Sequence, residues 1–295
     1  MLMKAFSSLR KSVLSFWLCI RANYLRPLVF AYSTFVATFV AMKGIPPLIP
    51  SLAVTLSVFL IVLATYISND IADLEIDLIN RVARPLAQGK VSKSEVATLS
   101  TILYISGLIS ALFTNLQTIF LCIIGTIMGL EYSFPPLSLK NRSIFKTITI
   151  GLCGALAVLA GGSAVNRLFS TNVLFASAIF FVYAMAFSPI LDIGDMLGDR
   201  KERRTLPVIW GPEYTIRFSI ALSIAIIISF VLGYLQLGFN IALPILGSIV
   251  CLSCIYVVYP LFRLWRNQLY CRKVAKRVTL LLYALQSSLL IGSIF

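Results

Sequence analysis

Long apolar runs separated by short polar stretches dominate this chain. A helix needs about 20 predominantly apolar residues to cross the hydrocarbon core of a bilayer. Nine runs of that kind stand out, at roughly 24–42, 49–68, 95–114, 117–134, 146–165, 172–191, 214–236, 240–260 and 277–294. Short segments of strict apolar–polar alternation, the mark of a membrane barrel, are absent. The pattern predicts an all-α, polytopic membrane helical bundle with about nine transmembrane helices, a single domain over 1–295. Residues 1–23 read differently, with Lys4, Arg10, Lys11 and Arg21 set among Phe6, Leu9, Val13, Leu14, Phe16, Trp17 and Leu18. That apolar run is short and no small-residue cleavage site closes it. An interfacial helix on an anionic leaflet is expected there, rather than a secretory signal.

Charge adds direction to this picture. Of the 295 residues 59% are apolar and 12% charged, far too few polar groups to cover a soluble domain of this size. Lys and Arg number 25 against 11 Asp and Glu, a net charge of +14. Apart from Lys43 and Arg167, every basic residue falls in the N-terminal stretch, at or beside the loops after the second, fourth, sixth and eighth runs. That is the positive-inside bias of a multi-pass integral membrane protein whose N-terminus is cytoplasmic. The excess charge is thereby topological, and it calls for membrane lipids rather than nucleic acid as partners. The chain has no His, which removes catalytic triads, His-ligated zinc or haem, and any imidazole acid–base step. Cys251 and Cys254 form a C-x-x-C, but inside an apolar run with neither a second pair nor a His, so they read as core residues.

The scarce acids are not scattered. Seven of the 11 fall in two clusters, Asp70, Asp73, Glu75 and Asp77, then Asp192, Asp195 and Asp199. On a helix with Asn69 at zero, Asp73, Asp77 and Asp70 fall at roughly 40°, 80° and 100°, one face over two turns. Glu75 falls on the other side at roughly 240° and is left out. Asp192, Asp195 and Asp199 again share a narrow arc. Both clusters lie at cytoplasmic helix ends, so two carboxylate stripes are expected to face each other at one depth. Six aspartates in one pocket repel unless a cation neutralises them, and oxygen donors without His or Cys select a hard ion such as Mg²⁺. Mg²⁺ joins carboxylates to phosphates and stabilises a leaving diphosphate as a Lewis acid. Arg81, Arg84 and Lys90 follow the first stripe, and Arg200, Lys201, Arg203 and Arg204 the second. Guanidinium and ammonium groups suit diphosphate oxygens, although topology alone also places them there. Glu131-Tyr132-Ser133-Phe134-Pro135-Pro136 ends the fourth run on the same face, with Tyr132 at the pocket mouth as a ring for a carbocation or as an interfacial belt residue.

These residues resemble the UbiA superfamily of intramembrane prenyltransferases. Asn69, Asp70, Asp73 and Asp77 complete its N-D-x-x-D-x-x-x-D signature, and Asp195 with Asp199 its D-x-x-x-D, with Asp192 one turn earlier. The run from Asp77 through Asn80, Arg84-Pro85, Gly89 and Lys90 to Ser92, and the Tyr132-Ser133-x-Pro135-Pro136 segment, are similar to the family as well. The resemblance implies a UbiA-type bundle in which the two motifs hold Mg²⁺, two ions, and the diphosphate of an isoprenoid diphosphate. The metal ligands implied are Asn69, Asp70, Asp73, Asp77, Asp192, Asp195 and Asp199. Asp73, Asp195, Asp199 and Tyr132 are the catalytic candidates, and Asn69, Arg84, Lys90, Lys140 and Arg204 the diphosphate contacts. Ionisation of the C–O bond would give an allylic cation for an acceptor to capture. The 77–92 and 192–200 stretches look most like archaeal ether-lipid enzymes and chlorophyll synthases, which implies geranylgeranyl transfer to geranylgeranylglyceryl phosphate. The archaeal enzymes often carry an Arg-Glu pair about five residues ahead of the second motif, where this chain has Phe187-Ser188-Pro189. An aromatic acceptor, of the 4-hydroxybenzoate or quinone-precursor type, is the second expectation.

Other classes fit less. A cation-coupled transporter places its acids near the mid-membrane in broken helices. A CDP-alcohol phosphotransferase carries an Asp-Gly and Ala-Arg arrangement that this chain lacks. A lipid-binding or assembly protein without enzymatic activity has no use for two complete aspartate signatures.

Overall fold

The computed structural model describes residues 2–79, 83–196 and 204–294, the side chains of 2–12 and of Ile79 excepted. Among the described residues nine helices are long and apolar enough to cross a membrane. After α1 (Leu2–Asn23) they run α2 (Leu25–Met42), α3 (Leu48–Ala72), α4 (Lys93–Ala111), α5 (Leu116–Ser133), α6 (Ser143–Ala164), α7 (Thr171–Asp192), α8 (Pro212–Leu237), α9 (Ala242–Val258) and α10 (Gln268–Ile294). Each predicted run is found as a helix, and the boundaries move where polar residues hide a helical turn. α3 continues through Asn69 and Asp70 to Ala72, beyond the apolar run. α10 starts at Gln268 rather than near 277, because Cys271, Val274 and Val278 are buried on one face while Arg272, Lys273, Lys276 and Arg277 are exposed on the other. That i, i+3, i+7 spacing belongs to an amphipathic turn, not to a lipid-facing run.

Neighbours in sequence pack as antiparallel neighbours in space, α3 on α4, α6 on α7, α8 on α9 and α9 on α10, and α10 returns against α2. The pivot is α6, which touches α2, α5 and α7. In lipid, helices associate through close packing and interhelical hydrogen bonds, so small residues gather at contacts. α6 follows that rule. A Cβ on Gly161 would lie 2.3 Å from the Thr34 carbonyl oxygen, and one on Gly154 2.0 Å from the Phe180 ring. Thr34 Oγ1 also donates to the Ala157 carbonyl at 3.0 Å, tying α2 to the same helix.

α1 does not lie free on a leaflet. It packs on α3 and α4, burying Ser15 and Cys19 while Val13, Leu14 and Trp17 stay exposed. Ser15 Oγ donates to Glu95 Oε1 at 2.9 Å, and Glu95 closes the capping box with Ser92 that starts α4. Burial pushes the Cys19 thiol up to about 11, so it stays a neutral packing group. The inner face of α1 is thus part of the bundle, while its outer face, with Val13, Leu14 and Trp17, is exposed.

Candidate active site

A cavity of about 390 Å³ opens where α3, α5 and α7 end and α2 and α6 begin. Its inner part is apolar, walled by Val58, Ile61 and Val62 of α3, Leu121 of α5, Leu156, Ala157 and Ala160 of α6, and Phe180 of α7. Its mouth is polar, with Asn69, Asp73, Asp192 and Asp195 alongside Arg26, Arg84, Lys140 and Lys146. Helix C-termini carry negative partial charge, so a carboxylate is disfavoured there without a compensating cation. Asp73 follows the last residue of α3 and Asp192 ends α7. Both sit where the backbone repels them, and lysines answer each.

Lys140 Nζ lies 2.7 Å from Asp73 Oδ1 and 2.9 Å from Asn69 Oδ1, with Lys140 only 5% exposed. Asn69 Nδ2 donates to the other Asp73 oxygen at 2.8 Å. On the second motif Lys146 Nζ meets Asp192 Oδ1 at 2.6 Å. Arg84 bridges the other two acids of the first motif, its Nη1 to Asp70 and its Nε to Asp77 Oδ2 at 3.4 Å. Arg26 lies over the Tyr66 ring, 5.7 Å from its centroid.

The expected single face divides. Asn69 and Asp73 line the cavity; Asp70 and Asp77 are buried outside its lining, turned to Arg84. Two things divide it: Asp70 sits roughly 100° round α3 from Asn69, and the helix breaks at Asp73 (φ −101°, ψ 2°), so that Asp77 is carried by a separate short helix, Leu74–Ile79. Glu75 is exposed and apart, as expected. Asp192 and Asp195 both line the cavity, carried by the end of α7 and the 3₁₀ turn Ile193–Asp195. Asp199 lies outside the described residues, as do Arg81, Arg200, Lys201 and Arg203. Tyr132 lines the mouth, and so does Ser133, whose buried Oγ has no hydrogen-bond partner among the described residues. Lys90 and Arg204 are exposed and do not line the cavity; Arg204 pairs through its backbone with Arg142. Arg26, Lys146 and Tyr66 complete the mouth without having been expected there. A signal existed for the first two, since each is an ionisable residue within a predicted span, at 24–42 and 146–165.

Among the described residues no three Asp, Glu or Cys side chains close on one point. The donor set nevertheless fits a hard cation. Asn69 Oδ1 and Asp73 Oδ1 already converge on one ammonium nitrogen, and the mouth offers oxygen donors with no imidazole. Carboxylate and amide oxygens of that kind suit Mg²⁺.

A family model described as the UbiA prenyltransferase family matches residues 30–281. Digeranylgeranylglyceryl phosphate synthase of Methanocaldococcus jannaschii is 29% identical over 251 residues, 84% of this chain and 85% of that protein. The synthase of the same name from Methanococcus vannielii is 31% identical over 229 residues, 77% of this chain and 79% of its own length. A solved structure of digeranylgeranylglyceryl phosphate synthase in membranes superposes with a TM-score of 0.74 at 25% identity, covering 96% of this chain and 99% of that one. A UbiA homolog from Archaeoglobus fulgidus bound to GPP and Mg²⁺ shares the fold, with a TM-score of 0.68 at 18% identity over 92% of this chain and 99% of that chain.

Proposed function

Because this chain belongs to the UbiA prenyltransferase family, we propose that it transfers a geranylgeranyl group from its diphosphate to geranylgeranylglyceryl phosphate. The observation that carries this reading is the juxtaposition in one cavity of an apolar shaft with a mouth of paired acids and bases. An isoprenoid tail has nowhere to go in water, and a diphosphate has nowhere to go in lipid; a cavity with an apolar shaft and a charged mouth would suit both. The names of the relatives support the ether-lipid acceptor, and the second anionic group of such an acceptor suits a mouth with four cations around it.

Asn69, Asp73, Asp192 and Asp195 would hold magnesium, two ions in our reading, with Asp199 joining them from the signature. Bound there, magnesium supplies Lewis-acid stabilisation of the departing diphosphate. Lys140 and Lys146 sit within bonding distance of these ligands and would turn their ammonium groups to the phosphate oxygens. Val58, Ile61, Val62 and Leu121 would take the tail and keep water from the allylic carbon while its C–O bond breaks. Tyr132, at the mouth, would face the developing cation with its ring. The acceptor hydroxyl oxygen would then bond to that carbon and give its proton to the departed diphosphate. The basic loops support a cytoplasmic mouth.

The test supplies purified protein with radiolabelled geranylgeranyl diphosphate, Mg²⁺ and a panel of acceptors. A phosphoglycerol-ether product is expected, whereas a prenylated aromatic would move the assignment to the other acceptor class. Asp73→Ala and Asp195→Ala are expected to lower transfer by at least about a hundredfold, the scale of a lost electrostatic contact to the transition state, with expression intact. EDTA should abolish it. Wild-type turnover in either variant, or full activity in EDTA, refutes the reading.

A further inference from the structure

Asp70 is only 2% exposed and lies outside the cavity lining, although it belongs to the first motif. Both of its oxygens are engaged. Oδ2 accepts from Asn23 Nδ2 at 3.1 Å, and Oδ1 is held by Arg84 Nη1. Arg84 does line the cavity, and its Nε reaches Asp77 on the other side. A carboxylate walled off from the cavity and shared between an amide and a guanidinium offers a ligand nothing directly. It does offer a fixed Arg84. Arginine has many rotamers to lose when it is immobilised, and a site that immobilises it beforehand spares the ligand that loss.

Asn23 is the last residue of α1, and its amide is steadied by the Cys19 carbonyl at 3.2 Å. The docking of α1 explains why this amide can be aimed. Cys19 packs in one cluster with Leu63 and Ile67 of α3, Val96 of α4, and Leu86 and Val91 from the loop that carries Arg84. One small core therefore holds α1, α3 and the Arg84 segment together, and the Asn23–Asp70–Arg84 chain links the same three elements.

We infer that Asn23 is a positioning residue that acts through Asp70 to hold Arg84 toward the donor's diphosphate, so that Asp70 serves Arg84 rather than the metal. The inference rests on the prenyl-diphosphate reading above. Its consequence is that the N-terminal helix is part of the binding site.

Calorimetric titration of full-length protein in detergent with geranylgeranyl diphosphate and Mg²⁺ tests it without need of an acceptor. Asn23→Ala should weaken donor binding by about tenfold, the scale of one charge-assisted hydrogen bond, and Arg84→Ala by at least as much. The double variant should bind no more weakly than Arg84→Ala alone, since both changes remove one function. Asn23→Gln, which keeps the amide donor, should recover most of the affinity. Ser15→Ala loosens α1 at its other contact and should leave donor affinity unchanged. In a second readout, Mn²⁺ affinity by electron paramagnetic resonance should survive Asp70→Asn and collapse in Asp73→Asn. Unchanged donor affinity in Asn23→Ala, additive losses in the double variant, equal weakening by Ser15→Ala, or loss of Mn²⁺ in Asp70→Asn would each overturn the inference. Wild-type protein that does not bind the diphosphate at all would instead remove the reading on which it stands.

Discussion

Lys140 holds its ammonium between Asn69 and Asp73 at the base of the mouth, with both members of the ion pair nearly buried. Removing one partner of a buried pair costs about 3–5 kcal/mol, because the desolvated charge that stays behind has lost its compensation. Lys140→Met should therefore lower the thermal midpoint of the protein in EDTA. A metal that binds only the folded form stabilises by mass action. Millimolar Mg²⁺ should then restore more of the midpoint in Lys140→Met than it adds to the wild type, because the ion answers the same two oxygens. A loss that Mg²⁺ leaves untouched would show that these oxygens do not take the metal. The spacing of the first motif made Asn69 and Asp73 visible as a pair, because residues four apart share a helix face. It did not separate them from Asp70 and Asp77. That division depends on Asn23 and Arg84, which come from other elements, and no periodicity within residues 69–77 contains them.

Helices in this bundle are held at distances that side chains other than hydrogen would forbid. Gly161 is the clearest case, because the atom facing it is a backbone oxygen of α2 and cannot rotate away. Gly161→Ala should cost about 1–3 kcal/mol through overpacking and lower the melting temperature in detergent. Gly125 provides the contrast, for a Cβ there would meet only Leu156 Cδ2 at 3.4 Å. Gly125→Ala should leave stability near wild type while narrowing the cavity that Gly125 lines. Equal melting of the two variants with wild type would mean that α2 and α6 are not in the contact described. The existence of each membrane helix was legible from its apolar run, since about 20 such residues admit few other fates in a chain this hydrophobic. Their ends were not. α3 passes through Asn69 and Asp70 because the helix gains backbone hydrogen bonds regardless of side-chain polarity, as Asp73 N donating to Asn69 O at 2.9 Å shows. Hydropathy stops at the first polar residue, and here Asn69 and Asp73, just beyond the apolar run, line the cavity.

Antiparallel helices bring distant residues to one end of the molecule, and the loops there add Arg84, Lys140 and Asp195 to the mouth. The C-terminal ends of α3, α5 and α7 and the N-terminal ends of α2 and α6 meet there, delivering Asp73, Tyr132, Asp192, Arg26 and Lys146 from separate runs. The same alternation sorts the charges. Lys90 lies in the loop after α3, at the mouth end, and Arg167 in the turn between α6 and α7, at the opposite end; both are exposed. Basic residues are retained on the cytoplasmic side during insertion, so the mouth should open to the cytoplasm and receive water-soluble diphosphate heads from there. Two cysteine variants decide it, because five of the six native cysteines are buried and Cys153 faces the cavity. In inverted membrane vesicles a bulky, impermeant maleimide should label Lys90→Cys and spare Arg167→Cys. Right-side-out vesicles should give the reverse. Labelling of Arg167→Cys alone in inverted vesicles would turn the whole bundle over and place the diphosphate chemistry on the outer face, where the positive-inside bias does not put it.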